Sequence, residues 1–249
     1  MVEQPGKEAM ALAARLLREG QVVGMPTETV YGLAANALDD EAVQRIFLAK
    51  GRPQDNPLIV HIAVEEDLPR VARSVPENAR ALARRFWPGP LTMILPKGPR
   101  LAPSVSAGLD TVGVRLPAHP VARELIRLAG VPLAAPSANT SGSPSPTTAR
   151  HVESDLAGKI PLILDGGSCP VGVESTVLSL VGSPVILRPG FVTREELEEA
   201  LGCSVAYSPS LNAALDEGET PASPGMKYRH YAPQTQLTIV GGGLSDFIT

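Results

Sequence analysis

The sequence predicts an α/β fold, in which helices pack on a mixed, twisted and open sheet. Two observations support this class. Short apolar runs typical of strands alternate with amphipathic helices along most of the chain. Several successive strands are joined by connections too short to hold a crossover helix, so some pairs in the sheet must be antiparallel.

The predicted helices combine apolar periodicity with recognisable start and stop signals. Asp39 or Asp40 can cap one helix that ends at Gly51, and Thr193 with Glu196 forms a capping box at the start of the last helix. In chain order, the predicted helices cover residues 7–19, 40–50, 77–87, 120–129, 147–156 and 193–201.

The predicted strands are short apolar runs bounded by turn-forming residues. In chain order they cover residues 21–25, 30–34, 58–63, 91–95, 111–116, 132–136, 160–164, 174–180 and 185–187. Together with the helices, they place residues 1–205 in one domain. Residues 206–233 are polar, acidic and turn-rich, and we expect them to form a linker; residues 234–249 contain one more strand-like run.

Composition and charge exclude several classes of function. The formal net charge is −4 and aromatic residues make up only 4%, which argues against a surface that attracts nucleic acid and stacks bases. The chain shows neither a leader-like segment nor an apolar run of membrane-spanning length, so we expect a cytoplasmic protein with no membrane partner. Cys169 and Cys203 form no CxxC pair and are predicted to be buried, reduced thiols, and no spacing indicates a metal site.

Three small polar loops follow apolar strands, at residues 27–29, 137–145 and 174–176. In open α/β sheets, ligands bind outside the strand ends, so these loops predict a shared pocket. Arg52, Arg115 and Arg188 each adjoin such a strand. One arginine of this kind is typical of a solvated strand end, but three beside hydroxyl and amide groups favour a phosphate or carboxylate site.

Three features allow two interpretations each. The loop SANTSGSPSP is either a turn-rich surface loop or a phosphate cradle. His61, inside an apolar strand, is either a core histidine or a site residue. Arg80, Arg84 and Arg85 are either the solvated face of a helix or contacts to RNA phosphates.

Motifs along nearly the whole chain resemble the YrdC-like threonylcarbamoyl-AMP synthase family. They are PTETVYGLAANA, KGRP followed by NPL and a histidine, APSANTSG, ESTVLSL and ILRPG, in that order, and SPGMKYRHYAP resembles the linker of the family's long members. The resemblance implies a YrdC-like mixed sheet around a large, concave, basic pocket. Long members continue into a second, Rossmann-like domain, of which residues 234–249 would be the first strand.

The resemblance also implies an activity. Members of the family are L-threonylcarbamoyladenylate synthases, nucleotidyltransferases that make threonylcarbamoyl-AMP and pyrophosphate from L-threonine, bicarbonate or carbon dioxide, and ATP. A tRNA threonylcarbamoyl-transferase machinery then passes the group to an adenosine of tRNA, so we expect no stable direct binding of nucleic acid by this chain. Magnesium is expected to bridge the phosphates of ATP.

The family's site residues carry over to matching positions. Thr29, His61, Arg115 and Ser175 are expected to bind threonine, and Lys50 and Arg52 are expected to be catalytic as well as to bind ATP. The other expected ATP-binding residues are Asn56, Thr111, Ser137, Asn139, Ser145 and Arg188. In the linker, Tyr231, or else Tyr228, is expected to reach over the nucleotide as part of a lid.

Two other functions remain open from the sequence. One is a non-catalytic RNA-binding module that uses the same basic hollow, although the acidic net charge and the scarcity of aromatic residues count against it. The other is an enzyme of related fold that uses carbamoyl phosphate. The substrate that drives adenylate formation distinguishes this enzyme from the synthase.

Overall fold

The structure, a computed structural model, describes residues 1–211 and is built on one mixed sheet. Its eleven strands run in the order β1-β8-β2-β3-β7-β4-β6-β5-β9-β10-β11. The strands are Val2–Glu3 (β1), Val23–Met25 (β2), Gly32–Asn36 (β3), Ile59–His61 (β4), Leu91–Pro96 (β5), Thr111–Arg115 (β6), Leu133–Ala134 (β7), Leu162–Leu164 (β8), Thr176–Ser179 (β9), Val185–Arg188 (β10) and Ala206–Tyr207 (β11).

Parallel and antiparallel pairs are mixed throughout this sheet, which confirms the predicted fold class. The parallel pairs are β1 with β8, β8 with β2, β4 with β6, β5 with β9 and β10 with β11. The antiparallel pairs are β2 with β3, β3 with β7, β7 with β4, β6 with β5 and β9 with β10. The parallel pair of β4 and β6 sets His61 directly beside Arg115.

Helices pack on both faces of the sheet. They are Lys7–Arg18 (α1), Asp40–Lys50 (α2), Leu68–Val71 (α3), Glu77–Phe86 (α4), Pro120–Ala129 (α5), Ala149–Leu156 (α6) and Arg194–Leu201 (α7). Because successive side chains of a strand point to opposite faces, Leu33 and Ala35 join the apolar cluster that contains α2, α4 and α6, whereas Ala34 joins the cluster of α1 and α5.

The helix signals in the sequence are found where they were expected. The Asp39 side chain accepts from the backbone N–H groups of residues 41 and 42, and Gly51 ends α2 in the left-handed conformation with φ 60°. Thr193 and Glu196 form the predicted capping box. A Cβ at Gly113 of β6 would lie 3.2 Å from Thr92 Cγ2 of β5, so glycine allows these two strands to pack closely.

Other elements escaped prediction. The two-residue strands β1 and β11, the short helix α3 and the 3₁₀ turns Glu65–Asp67 and Pro103–Val105 lack the length that periodicity requires. Ala206–Tyr207 falls in the predicted linker but pairs in parallel with β10. The remainder of that linker, with Tyr228 and Tyr231, and the predicted start of a second domain lie outside the described residues.

The prediction for the cysteines was wrong in one respect. Cys203 is exposed and Cys169 is half-buried, so neither is a core residue, although both are free thiols. Cys203 follows the glycine that ends α7, where the chain turns at the surface. Among residues 1–211, no helix has both the length and the apolar character needed to cross a membrane.

Candidate functional site

An open cleft lies where β4 and β6 end. It encloses about 570 Å³ of space not filled by protein atoms, open solvent at its mouth included. The polar loops that follow β2, β7 and the segment before β9 all reach it, as the sequence predicted for loops that converge at strand ends. Seven of the predicted site residues line this cleft, namely Thr29, Arg52, His61, Arg115, Ser137, Ser175 and Arg188.

Arg115 is the most constrained side chain in the cleft. It is 4% exposed, and its Nη2 donates to Glu28 Oε1 at 2.5 Å while its Nη1 donates to Thr29 Oγ1 at 2.9 Å and its Nε to the Gly89 carbonyl at 3.2 Å. Burial lowers the pKa of the guanidinium, and the Glu28 charge opposes that shift. Three of the five N–H donors are therefore used, which leaves one on each terminal nitrogen for a ligand.

Glu28 fixes Arg115 and was missed by the sequence analysis. Its second oxygen accepts from the backbone N–H of Ala118 at 3.0 Å, so the carboxylate ties the turn before β3 to the chain after β6. Both members of this ion pair are buried, with side chains 4% and 8% exposed. The signal was available, because Glu28 lies within the PTETVYG motif, but nothing local shows that its partner is 87 positions away.

Arg188 also lines the cleft and is held by one residue, Ser175. Its Nε and Nη2 donate to the Ser175 carbonyl at 3.2 and 3.0 Å, and Nη2 also donates to Ser175 Oγ at 3.1 Å. The same hydroxyl lies 2.8 Å from Thr92 Oγ1. These contacts use Nε and Nη2, so among the described residues the Nη1 group of this cleft-lining arginine is left for an anion.

His61 is fully enclosed at the end of β4. Burial, followed by the charge of Arg115, lowers the pKa of His61 to about 3. The imidazole is therefore neutral near pH 7, and its Nδ1 has no hydrogen-bond partner among the described residues. A neutral ring whose buried nitrogen is unsatisfied fits a site residue better than a satisfied core histidine.

Lys50 does not line the cleft, which disagrees with the expectation that its ammonium group meets the nucleotide. It is 2% exposed, and its Nζ donates to the carbonyls of Ser137 and Asn139, the latter at 2.5 Å. Burial, followed by the charge of Arg52, lowers the pKa of Lys50 to about 7. In the described structure, buried Lys50 therefore supports the loop that starts at Ser137 through hydrogen bonds to its backbone.

Asn139 has a similar place in that loop. Its Nδ2 donates to the carbonyls of Thr140 and Ser143 at 2.8 and 2.7 Å, so the amide organises the loop rather than lining the cleft. Ser145 lies in a second, more open hollow beside Thr147 and His151, and its buried hydroxyl has no described partner. The hydroxyl-rich loop is thus ordered by internal contacts.

Arg52 and Asn56 occupy the corner that the sequence placed after α2. Arg52 Nη2 donates to the carbonyls of Asn56 and Pro57 at 3.3 and 3.2 Å, and Arg52 lines the cleft. Asn56 is 1% exposed and does not line it, yet its Nδ2 and Oδ1 both lack a partner among the described residues. Buried amides are normally satisfied, so this one is poised for a further contact.

Thr111, expected to bind ATP, is not among the residues that line the cleft, and neither are the arginines of α4. Thr111 begins β6, four residues before Arg115, which separates the two by about 13 Å along the strand. Arg84 pairs with Glu77 at 3.0 Å and Arg85 with Glu199 at 2.5 Å, and both arginines are exposed. The latter pairs support the solvated helix face over RNA contacts.

The described part of the chain offers no ready-made metal centre. Within residues 1–211, no three His, Cys, Asp or Glu side chains cluster closely enough to hold an ion. Among the residues of 1–211 that line the cleft, Glu174 is the one carboxylate. It was also missed by the sequence analysis, although it opens the ESTVLSL motif.

Comparison with known proteins gives matches over most of the chain. A family model called Sua5_yciO_yrdC and described as "Telomere recombination" matches residues 15–190, and one described as "Threonylcarbamoyl-AMP synthase, C-terminal domain" matches residues 192–246. The chain is 54% identical over 232 residues to the threonylcarbamoyl-AMP synthase of Pyrococcus abyssi and 55% identical over 235 residues to that of Bacillus subtilis. These alignments cover 93% and 94% of this chain and 67% of each relative, so the chain spans about two thirds of their length.

The fold is shared with a solved relative. The crystal structure of P. abyssi Sua5 complexed with L-threonine matches with a TM-score of 0.89 and 52% identity, over 95% of this chain and 69% of that one. None of these relatives is described as an RNA-binding module, so the comparisons give no support to that alternative.

Proposed function

The chain belongs to the Sua5–YciO–YrdC family, and we propose that it makes threonylcarbamoyl-AMP and pyrophosphate from L-threonine, bicarbonate and ATP. The family resemblance seen in the sequence motifs is thereby confirmed, as is the class of enzyme, a nucleotidyltransferase. The relatives' printed names and the threonine complex support the substrates L-threonine and ATP.

One arrangement carries the proposal: a carboxylate-binding arginine shares a cleft with hydroxyl groups and a neutral histidine. The two remaining N–H groups of Arg115 suit the carboxylate of threonine. Thr29, Ser175 and the unsatisfied Nδ1 of His61 supply polar atoms for its hydroxyl and amino groups. Glu28 positions the Arg115 guanidinium before any ligand binds.

The nucleotide is proposed to occupy the rest of the cleft. Arg52 and Arg188 can meet its phosphates, and the loop that starts at Ser137 can contribute hydroxyl and backbone N–H groups. The unsatisfied polar atoms of Asn56 and Ser145 support their assignment to the same ligand. Lys50 and Asn139 then act by holding this loop, and Thr111 has no proposed contact.

Catalysis rests on position and fixed charge. The amino nitrogen of threonine attacks the carbon derived from bicarbonate to give a carbamate, with loss of a proton and water. A carbamate oxygen then attacks the α-phosphorus, and the bond from that phosphorus to the β-phosphate oxygen breaks to release pyrophosphate. Arg52 and Arg188 stabilise the negative charge that accumulates on the transferring phosphoryl group.

A divalent cation is expected to enter with ATP as part of the substrate, and we propose magnesium. Because no cluster of metal-ligating side chains exists within the described residues, phosphate oxygens and water would supply most of its ligands. The cation supplies further positive charge on the phosphates when bound. The product is proposed to pass to a tRNA threonylcarbamoyl-transferase, with no stable contact between this chain and tRNA.

Mass spectrometry of the products tests this function. The purified chain is incubated with ATP, magnesium, L-threonine and ¹³C-bicarbonate, with parallel reactions that omit threonine or replace bicarbonate by carbamoyl phosphate. We expect a labelled threonylcarbamoyl adenylate only in the complete reaction. Arg52→Ala should form it at least about 100-fold more slowly, because loss of one group that stabilises transition-state charge usually lowers kcat by that factor. An adenylate that forms from carbamoyl phosphate without threonine would contradict the proposal.

A further inference from the structure

Glu174 is an unpaired carboxylate in a cleft lined by arginines. Its Oε1 is buried and has no hydrogen-bond partner among residues 1–211. None of the ion pairs within that part of the chain involves it, although Arg52, Arg115 and Arg188 line the same cleft. A buried carboxylate oxygen left unsatisfied is costly, so its retention calls for a ligand that satisfies it.

The backbone around Glu174 is fixed. The next carbonyl, that of Ser175, accepts from Arg188, and the N–H of Thr176 donates to the Pro90 carbonyl at 3.0 Å. Gly190 packs so closely on this segment that a Cβ there would lie 2.5 Å from the Glu174 carbonyl oxygen. The carboxylate therefore starts from a rigid position, next in sequence to a residue assigned to the threonine site.

The reaction proposed above needs a group of this kind, and the inference rests on that proposed function. The amino group of threonine is an ammonium in water, so it must lose one proton before its nitrogen can attack carbon and a second proton as the N–C bond forms. The arginines of the cleft cannot accept a proton. His61, whose pKa is lowered to about 3, is neutral near pH 7 and therefore offers no negative charge to an ammonium group.

We propose that Glu174 is a catalytic residue that binds the α-amino group of L-threonine and accepts its proton as the carbamate forms. The first ammonium proton goes to bicarbonate, which releases carbon dioxide and water. The nitrogen lone pair then forms the N–C bond to that carbon dioxide, one C=O π bond breaks to give the carbamate oxygen, and a second proton moves from nitrogen to Glu174. The protonated carboxyl then returns that proton to water.

The test compares Glu174→Gln with a surface control, Glu66→Gln, whose side chain is exposed on a 3₁₀ turn. Gln keeps the size of Glu and a hydrogen-bond acceptor but loses the charge and the base. We expect kcat to fall about 10²–10⁴-fold, as is usual for loss of a general base, and the Kd of L-threonine to rise about tenfold. Glu66→Gln is expected to match the wild type in both quantities.

A ligand without an amino group separates this role from a purely structural one. 3-Hydroxybutanoate keeps the carboxylate and hydroxyl groups of threonine, so its Kd, measured by calorimetry, should be the same for the wild type and Glu174→Gln. Equal weakening for both ligands would overturn the proposal, as would wild-type kcat in the variant. Glu174→Asp, which retains the base, should recover part of kcat; a level no higher than that of Glu174→Gln would also count against it.

The proposed function and this inference fail in different ways. If the wild type makes no threonylcarbamoyl adenylate, the function itself is wrong. If the wild type makes it and Glu174→Gln does so at the same rate, only the role of Glu174 is wrong.

Discussion

Glu28 and Arg115 are both buried, and each satisfies the charge of the other across the turn before β3. Arg115→Met would leave the Glu28 carboxylate buried without its counter-ion, so we expect a loss of about 3–5 kcal/mol in the free energy of unfolding. Adding Glu28→Gln removes the stranded charge and should restore most of that loss. Urea denaturation of the two variants and the wild type measures both effects.

Threonine binding should not recover with stability in this pair of variants. The double variant still lacks the guanidinium that is proposed to bind the carboxylate, so calorimetry should find its Kd for L-threonine raised at least about tenfold. Threonine affinity equal to that of the wild type would show that Arg115 is a structural residue only.

His61 makes the folded protein sensitive to mild acid. The pKa of its imidazole is lowered from an ordinary value of 6.5 to about 3. Below pH 6.5 the unfolded chain therefore binds a proton at this residue that the folded chain does not bind. Stability is therefore fully present above the unfolded pKa and declines as pH falls towards 3. At pH 5 this group alone should lower the free energy of unfolding by about 2 kcal/mol relative to pH 7.

His61→Asn removes that titration while keeping a polar side chain. Urea denaturation at pH 7 and pH 5 should show a pH-dependent loss that is smaller in the variant than in the wild type by the same amount of about 2 kcal/mol. An identical loss in both proteins would mean that His61 is protonated in the folded state.

The sequence predicted the surroundings of some single residues but not of others. Lys50 occupies the next position of the apolar stripe on α2, seven residues after Val43 and three after Phe47, so helical periodicity placed it on the buried face. The pairing of Glu28 with Arg115 could not be predicted, because it depends on two turns that only the sheet brings together.

Among the elements, the loop of residues 137–145 depends on the end of α2. Lys50→Met keeps the apolar stem but removes the donor to the carbonyls of Ser137 and Asn139. We expect calorimetry to show ATP affinity lowered about tenfold and L-threonine affinity nearly unchanged. Lys97→Met is the control, because its ammonium likewise makes a hydrogen bond, to the Ser106 hydroxyl at 2.7 Å, but lies just after β5 and not among the residues that line the cleft.

The opposite pattern would contradict this role for Lys50. If Lys50→Met kept its ATP affinity and lost threonine affinity, the loop would serve the amino acid and not the nucleotide.

The turn after β10 positions the segment that carries Glu174 and Ser175. A Cβ at Gly190 would lie 2.4 Å from the backbone nitrogen of Thr176, a distance that forces the two backbones apart. Gly190→Ala should therefore lower kcat/KM for threonine about tenfold or more, because even a small displacement of substrate-positioning residues strongly slows catalysis. Gly6→Ala, whose Cβ would meet its nearest atom at 4.0 Å, should leave kcat/KM unchanged.

Steady-state kinetics on the two glycine variants checks this. Unchanged kinetics in Gly190→Ala, together with an unchanged melting temperature, would show that the contact is relieved without moving the site.

Helix boundaries were predicted well because capping residues act locally: Asp39, Gly51, Thr193 and Glu196 each contact atoms within a few positions. Short strands were not, because β1 and β11 exist through hydrogen bonds to β8 and β10 rather than through any pattern of their own. The strand predicted at residues 132–136 likewise shrinks to Leu133–Ala134, the residues in register with both β3 and β4, although the Ala135 N–H and the Pro136 carbonyl also hydrogen-bond to those two strands.

For the whole molecule, the fold class followed from alternation and connection length, whereas the strand order did not. Neighbours such as β5 and β9 are far apart in sequence, and their pairing brings Ser175 beside Thr92 and so builds one wall of the cleft. The net charge of −4 coexists with an arginine-lined cleft because the cations converge locally. The central claim is that this convergence sets threonine's carbamate against the α-phosphorus of ATP.

Oxygen isotope transfer tests that claim most directly. In a short single-turnover reaction with ¹⁸O-bicarbonate, L-threonine and unlabelled ATP, a carbamate oxygen becomes the bridge to the α-phosphorus. Fragmentation of the adenylate in the mass spectrometer at the bond between carbonyl carbon and bridging oxygen should then give AMP that carries one ¹⁸O. AMP without label, from an adenylate labelled in its carbonyl group, would contradict the account.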